Sequence, residues 1–198
     1  MSIVGEIAAI FRYPVKSMRG ESLDAAMLGW HGIAGDRRCA LHRRDDRSGM
    51  PFLTASKLPE LVLFTPHGRE DRAGEPLPAF VRTPGGEDLP LFAEELAADI
   101  ERRSGVTVEM VHLRQGIFDE ASLSVITSAT IEEVCRLGGE AADMRRFRPN
   151  VVVRPLDETP FGEDAWVGGV LTFGEGDDAA AVALTQRDVR CADRKSVV

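Results

Sequence analysis

The 198-residue sequence has little cysteine: three residues, at 39, 135 and 191, with no repeated spacing. That excludes a disulfide framework and predicts free thiols. No apolar run approaches the length of a membrane span. The N-terminal stretch "MSIVGEIAAIFRYPVK" lacks a basic leader, and Arg12 interrupts its apolar residues, so no signal peptide is predicted and a cytoplasmic location is expected. Excess positive charge is missing as well. Lys and Arg number 24 against 32 Asp and Glu, a net charge of −8. Nucleic-acid and anionic-membrane binders draw affinity from counterion release by surplus cations, so neither partner is expected. There is no Gly-x-Ser-x-Gly elbow, P-loop or Gly-x-Gly-x-x-Gly turn. Cys39 and His42 have a metal-like spacing in "CALH", but no second Cys/His pair follows, and His31, His67 and His112 stand alone. A zinc site needs three or four ligands, so zinc is not expected.

What remains is an ordinary globular composition, 43% hydrophobic and 28% charged. The length suits one compact unit. Short strand-like segments dominate, among them "VGEIAAIFRYPVK", "RCALHRR", "LVLFTP", "AFVRTPGGEDLPL", "VTVEMVHL", "LSVITS", "NVVVR", "WVGGVLTFG" and "AVALTQ". Gly, Pro, Asp or Ser clusters bound each, the pattern of a mainly β fold with a few helices, a barrel or sandwich. One helix is predicted in "FAEELAADIERRSG", with Phe92, Leu96 and Ile100 on its apolar face, acids early, Arg102 and Arg103 late, and Gly105 at the stop. A second is predicted in "SATIEEVCRLGG", with Thr130 and Glu133 in capping-box spacing and Ile131, Val134 and Leu137 on one face. The polar segment 67–78, "HGREDRAGEPLP", reads as an exposed loop.

Positive charge is gathered rather than spread. Residues 8–20 carry Arg12, Lys16 and Arg19 and no acid; residues 144–154 carry Arg145, Arg146, Arg148 and Arg154 and no acid; "GDRRCALHRR" adds Arg37, Arg38, Arg43 and Arg44. Most surface arginines are solvated or paired with acids. These clusters also hold Gly, Pro and Asn, which fix the backbone so that amides and side chains converge on an anion. In "YPVKSMRG", Pro14 stiffens the turn, Lys16 supplies a point charge and Ser17 a hydroxyl; Arg148 adds a planar fork suited to phosphate or carboxylate oxygens. A small anionic ligand is expected. Cys39 and Cys135 read as packing residues. Cys191, in "RDVRCADR", is flanked by Arg190 and Arg194, which favour a thiolate, and by Asp188 and Asp193, which oppose it.

Taken in order, these segments resemble the MOSC family, named for the C-terminal domain of molybdenum-cofactor sulfurase. "YPVKSMRGESLDAAMLGWHGIAGDRRCAL" is similar to its opening pattern, "FLTASKLPEL" to a following segment, and "FDEASLSVITSATIEEV", "RRFRPNVVV" and "PFGEDAWVGGVLTFG" to its core. "VRC" is similar to the step bearing its cysteine, so the resemblance runs from about residue 4 to Cys191. Ser56 stands where the family has a basic residue, with Lys57 beside it.

The resemblance implies a MOSC-type β-barrel over residues 1–198, with a β-rich N-terminal part (1–90) and a MOSC core (91–198). The family pattern continues beyond its cysteine whereas "CADRKSVV" stops seven residues after it, so an incomplete barrel is expected. It implies the molybdenum cofactor, a molybdopterin, with Lys16, Ser17, Arg37, Arg148 and Asn150 as its contacts and Cys191 as the molybdenum ligand and catalytic residue. Asp36 is then expected to orient Arg37. The implied activity is that of an oxidoreductase reducing N-oxygenated small molecules. No haem or flavin motif is present, so an electron-donor protein is the expected partner, and an open barrel edge allows a homodimer. The resemblance brings no pyridoxal-phosphate domain, so sulfur mobilisation from free cysteine is not expected. Two alternatives stay open: a sulfur or cofactor carrier acting through a Cys191 persulfide, and a noncatalytic anion-binding module.

Overall fold

A computed structural model describes residues 2–72, 74–176 and 178–188. Cys191 lies outside them. The described chain is mainly strands with two α-helices, as expected. In chain order the elements are β1 (Gly5–Arg12), β2 (Glu21–Leu23), β3 (Leu28–Gly29), β4 (Gly32–Ile33), β5 (Cys39–Arg43), β6 (Thr65–His67), β7 (Glu70–Arg72), β8 (Glu75–Leu77), β9 (Phe80–Arg82) and β10 (Asp88–Pro90). There follow α1 (Glu94–Ser104), β11 (Val108–His112), β12 (Val125–Thr127), α2 (Ser128–Leu137), β13 (Val151–Pro155), β14 (Val170–Phe173) and β15 (Ala180–Ala183). Two compact units divide this chain, one made of residues 11–122 and the other of residues 2–10 and 123–188. None of the described sheets closes on itself, in keeping with an incomplete barrel.

The unit of residues 11–122 is built on the antiparallel pair β5–β11, in register from Cys39 opposite His112 to Arg43 opposite Val108. A second sheet runs β10-β9-β6. Its core gathers Val15, Leu41, Phe64, Val81, Leu96 and Ile100, and each such buried side chain stabilises by roughly 1.5–3 kcal/mol. Helix α1 contributes Leu96 and Ile100 to that core, and Gly105 ends it as predicted, with its backbone in the left-handed conformation. Phe92 precedes the helix and is exposed. Segment 67–78 is not a loop. Its polar residues form the hairpin β7–β8, with Glu70 opposite Leu77 and Arg72 opposite Glu75, because the apolar Leu77 anchors it in the core. "LVLFTP" divides into a 3-10 turn, Pro59–Leu63, and β6.

In the other unit, β12 and β13 run parallel, Val125 opposite Val151, and β1 pairs antiparallel with β13, Gly5 opposite Pro155. The β-branched run Val151–Val153 is buried on both faces, which suits a central strand. Parallel strands require a crossover, and α2 supplies it. The helix starts earlier than the capping-box reading: Thr127 is the N-cap, its Oγ1 accepting from the Thr130 amide at 3.2 Å, and Glu133 pairs instead with Arg136. The buried face carries Ile131 and Cys135, at i and i+4, whereas Val134 and Leu137 are exposed.

Candidate functional site

In the unit of residues 11–122, three predicted residues lie on two adjacent backbone segments. Arg37 N donates to Tyr13 O at 2.7 Å, Cys39 N to Pro14 O at 3.1 Å, and Lys16 N to Cys39 O at 2.8 Å. Pro14 has no amide to offer, so the turn of residues 13–18 is held through its carbonyls and the Lys16 amide. Ser17 and Arg37 both adopt left-handed backbone conformations, with φ of 68° and 49°. For a residue with a side chain this costs on the order of 1 kcal/mol, and such strain concentrates where function dictates the backbone.

Charge is arranged around this turn. The Lys16 side chain is only 6% exposed, and its Nζ lies 2.6 Å from Asp119 Oδ1, whose own side chain is 58% exposed. A buried ammonium needs a partner. An exposed carboxylate is one that a ligand oxygen can replace. Asp36 is fully buried and divides its carboxylate, Oδ1 accepting the Tyr13 amide at 2.7 Å and Oδ2 accepting Arg37 Nη1 at 2.5 Å. The expectation that Asp36 orients Arg37 matches this geometry. The Arg37 guanidinium also lies 5.0 Å from the Tyr13 ring centroid. Gly20 lets that ring sit close, since a Cβ there would stand 2.4 Å from it. The segment bearing Asp119 is tied to the same strand: Leu113 N donates to Arg38 O and Ile117 N to Arg37 O, both at 2.8 Å.

Arg148 and Asn150 belong to the other unit. Arg148 ends the 3-10 turn Met144–Phe147 in the left-handed conformation, with φ of 50°. Asn150 is fully buried and clips the start of β12: Ser124 N donates to Asn150 Oδ1 at 3.1 Å, and Asn150 N donates to Ser124 O at 2.9 Å. Beside it the Ser124 hydroxyl is buried and makes no hydrogen bond among the described residues. Three of the clustered arginines of this unit, Arg145, Arg146 and Arg154, pair with carboxylates, Arg154 with Glu6. Arg145 Nη2 pairs with Asp143 at 2.7 Å, holding that carboxyl below its ordinary pKa, and Arg146 pairs with Glu140. A cavity of about 230 Å³ in this unit is lined by Ile3, Pro155, Glu163 and Trp166, and neither Arg148 nor Asn150 faces it.

Asp119, Tyr13 and Ser124 were not readable as site residues from composition or spacing, because each acts through a partner distant in sequence. The cysteines of the described residues are structural. Cys39 and Cys135 are buried, and burial pushes the Cys39 thiol up to about 12. The donor sets of both units suit an oxyanion: a buried ammonium with an exchangeable counter-ion and a fixed guanidinium in one, a buried amide beside an orphaned hydroxyl in the other.

Comparison with known families gives two matches. The family model described as the MOSC N-terminal beta barrel domain matches residues 4–123, and the model described as the MOSC domain matches residues 93–195. No curated protein matches the chain.

Proposed function

The chain belongs to the MOSC family, and from that membership we propose that it binds the molybdenum cofactor and serves as an oxidoreductase for N-oxygenated small molecules. When bound, the cofactor supplies a two-electron redox centre able to accept an oxygen atom from an N–O bond. The observation that carries the reading is that three predicted contacts, Ser17, Arg37 and Arg148, occupy three of the four left-handed non-glycine positions among the described residues, Phe161 being the fourth.

In this reading Lys16 and Arg37 bind phosphate oxygens, Lys16 exchanging Asp119 for the ligand, while Asp36 keeps the Arg37 fork in place. The Ser17 hydroxyl donates to the same oxygens. Arg148 and Asn150 contact the pterin and phosphate, and the orphaned Ser124 hydroxyl beside Asn150 supplies a further donor or acceptor. Cys191 is the proposed protein ligand to molybdenum.

The test is to express the chain in a molybdopterin-competent host and measure molybdenum and pterin fluorescence. Stoichiometric amounts of both, lost in Arg37→Ala and Arg148→Ala, support the reading. Folded wild-type protein without either overturns it. Metal loss with pterin retention is expected for Cys191→Ser. A removable sulfur adduct on Cys191, seen by mass spectrometry without reductase turnover, favours a carrier instead.

A further inference from the structure

The hairpin β7–β8 brings Glu75 against the Asp36–Arg38 turn. Glu75 Oε1 accepts from Arg38 Nε at 2.8 Å, and Oε2 lies 3.3 Å from His112 Nε2. Arg38 is 3% exposed. Its remaining donors go to main chain, Nη1 and Nη2 to His31 O and Nη1 to Asp36 O, each at 3.3 Å. Arg38 therefore braces the loop that leads into Arg37, and Glu75 is the carboxylate that balances it. The next hairpin residue presses on the same loop: a Cβ at Gly35 would stand 2.4 Å from Pro76 O, and Gly35 has a φ of +78°, so glycine alone admits this approach.

We infer that Glu75 is a positioning residue for Arg37 and sets the anion affinity of its turn. A buried guanidinium whose Nε loses its acceptor turns to another. Asp36, whose carbonyl Arg38 already reaches, becomes the competing acid, and Arg37 loses part of the carboxylate that holds it. The inference rests on reading Lys16, Ser17 and Arg37 as an anion site.

Its sign is diagnostic. Removing a negative charge near a cationic site strengthens anion binding if only the field matters. Loss of positioning weakens it. Inorganic phosphate affinity, measured by titration calorimetry on the full chain, is expected to fall about tenfold in Glu75→Ala, the scale on which outer partners of a binding group act. Glu75→Gln keeps an acceptor for Arg38 Nε without the charge, and is expected to restore wild-type affinity or exceed it. In an Arg37→Ala background, Glu75→Ala is expected to change nothing further. Should Glu75→Ala fail to fold, Arg38→Lys, which keeps the charge but lacks the fork to His31 and Asp36, is expected to show the same loss. Unchanged or tighter phosphate binding in Glu75→Ala, or an equal loss in both backgrounds, overturns the inference. If Lys16→Ala and Arg37→Ala leave phosphate affinity unaltered, it is the anion-site reading that fails.

Discussion

The Glu163 carboxylate closes the N-terminus of α2, accepting the Thr127 amide at 3.0 Å and the Thr127 hydroxyl at 2.9 Å. Thr130 Oγ1 donates to the same carboxylate at 2.8 Å and accepts the Phe161 amide at 2.7 Å. An acid distant in sequence thus meets the positive end of the helix and ties down Phe161, whose φ is 62°. Glu163→Ala leaves one amide and two hydroxyls in need of new partners. It is expected to lower stability by about 1–3 kcal/mol in urea denaturation, with Glu163→Gln intermediate.

Asp119 competes with a ligand for Lys16. Asp119→Asn is expected to tighten inorganic phosphate several-fold, and Lys16→Ala to weaken it at least as much, by calorimetric titration at low salt. Equal affinity in Asp119→Asn and wild type would show that the carboxylate is no obstacle to the ligand.

Burial raises the Cys39 thiol from 9.0 to about 12. The folded state therefore holds this proton more tightly than the unfolded chain, and the associated stability is complete below pH 9 and lost as pH rises through 9 toward 12. Native protein is expected to resist iodoacetamide at Cys39 at pH 8, with labelling appearing only on unfolding, as read by peptide mass spectrometry. Cys39→Ala is expected to lessen the alkaline loss of stability.

On the small sheet, Asp88 accepts Arg82 Nε and Nη2 at 2.9 Å and contacts His67 Nε2 at 2.7 Å. These hydrogen bonds, Arg82 first, hold its carboxyl down at about 2. The linked stability is present above the ordinary value of 3.8 and is lost as pH falls from there toward 2. Carboxyl NMR titration is expected to find the Asp88 midpoint near 2 and to return it toward 3.8 in Arg82→Ala.

Strand identities were legible in the sequence wherever β-branched residues were bounded by turn formers, as in "NVVVR" and "VTVEMVHL", because local pattern and burial agree there. They failed where a few apolar residues in a polar stretch decide the structure: one buried leucine, Leu77, turns segment 67–78 into a hairpin. The start of α2 was misplaced because Thr127 and Thr130 are both competent caps, and the choice falls to Glu163, more than thirty residues away. Among the candidate residues, Lys16, Arg37 and Arg148 stood out as clustered charge. Asp119 and Glu75 looked like ordinary surface acids, since the chain's surplus of acids hides those that are placed.

The pairing of Gly5 with Pro155 shapes how the chain is made. Residues 5–10 leave the ribosome well before their antiparallel neighbour, which is synthesised some 145 residues later, roughly 7–30 s at translation rates of about 5–20 residues per second. Until then an apolar segment, Ile7–Ile10, waits without its mate while residues 11–122 are free to collapse around their own core. A bulky group placed just ahead of Gly5 is therefore a hazard to biogenesis, acting on a strand that must stay available until residues 151–155 have been made.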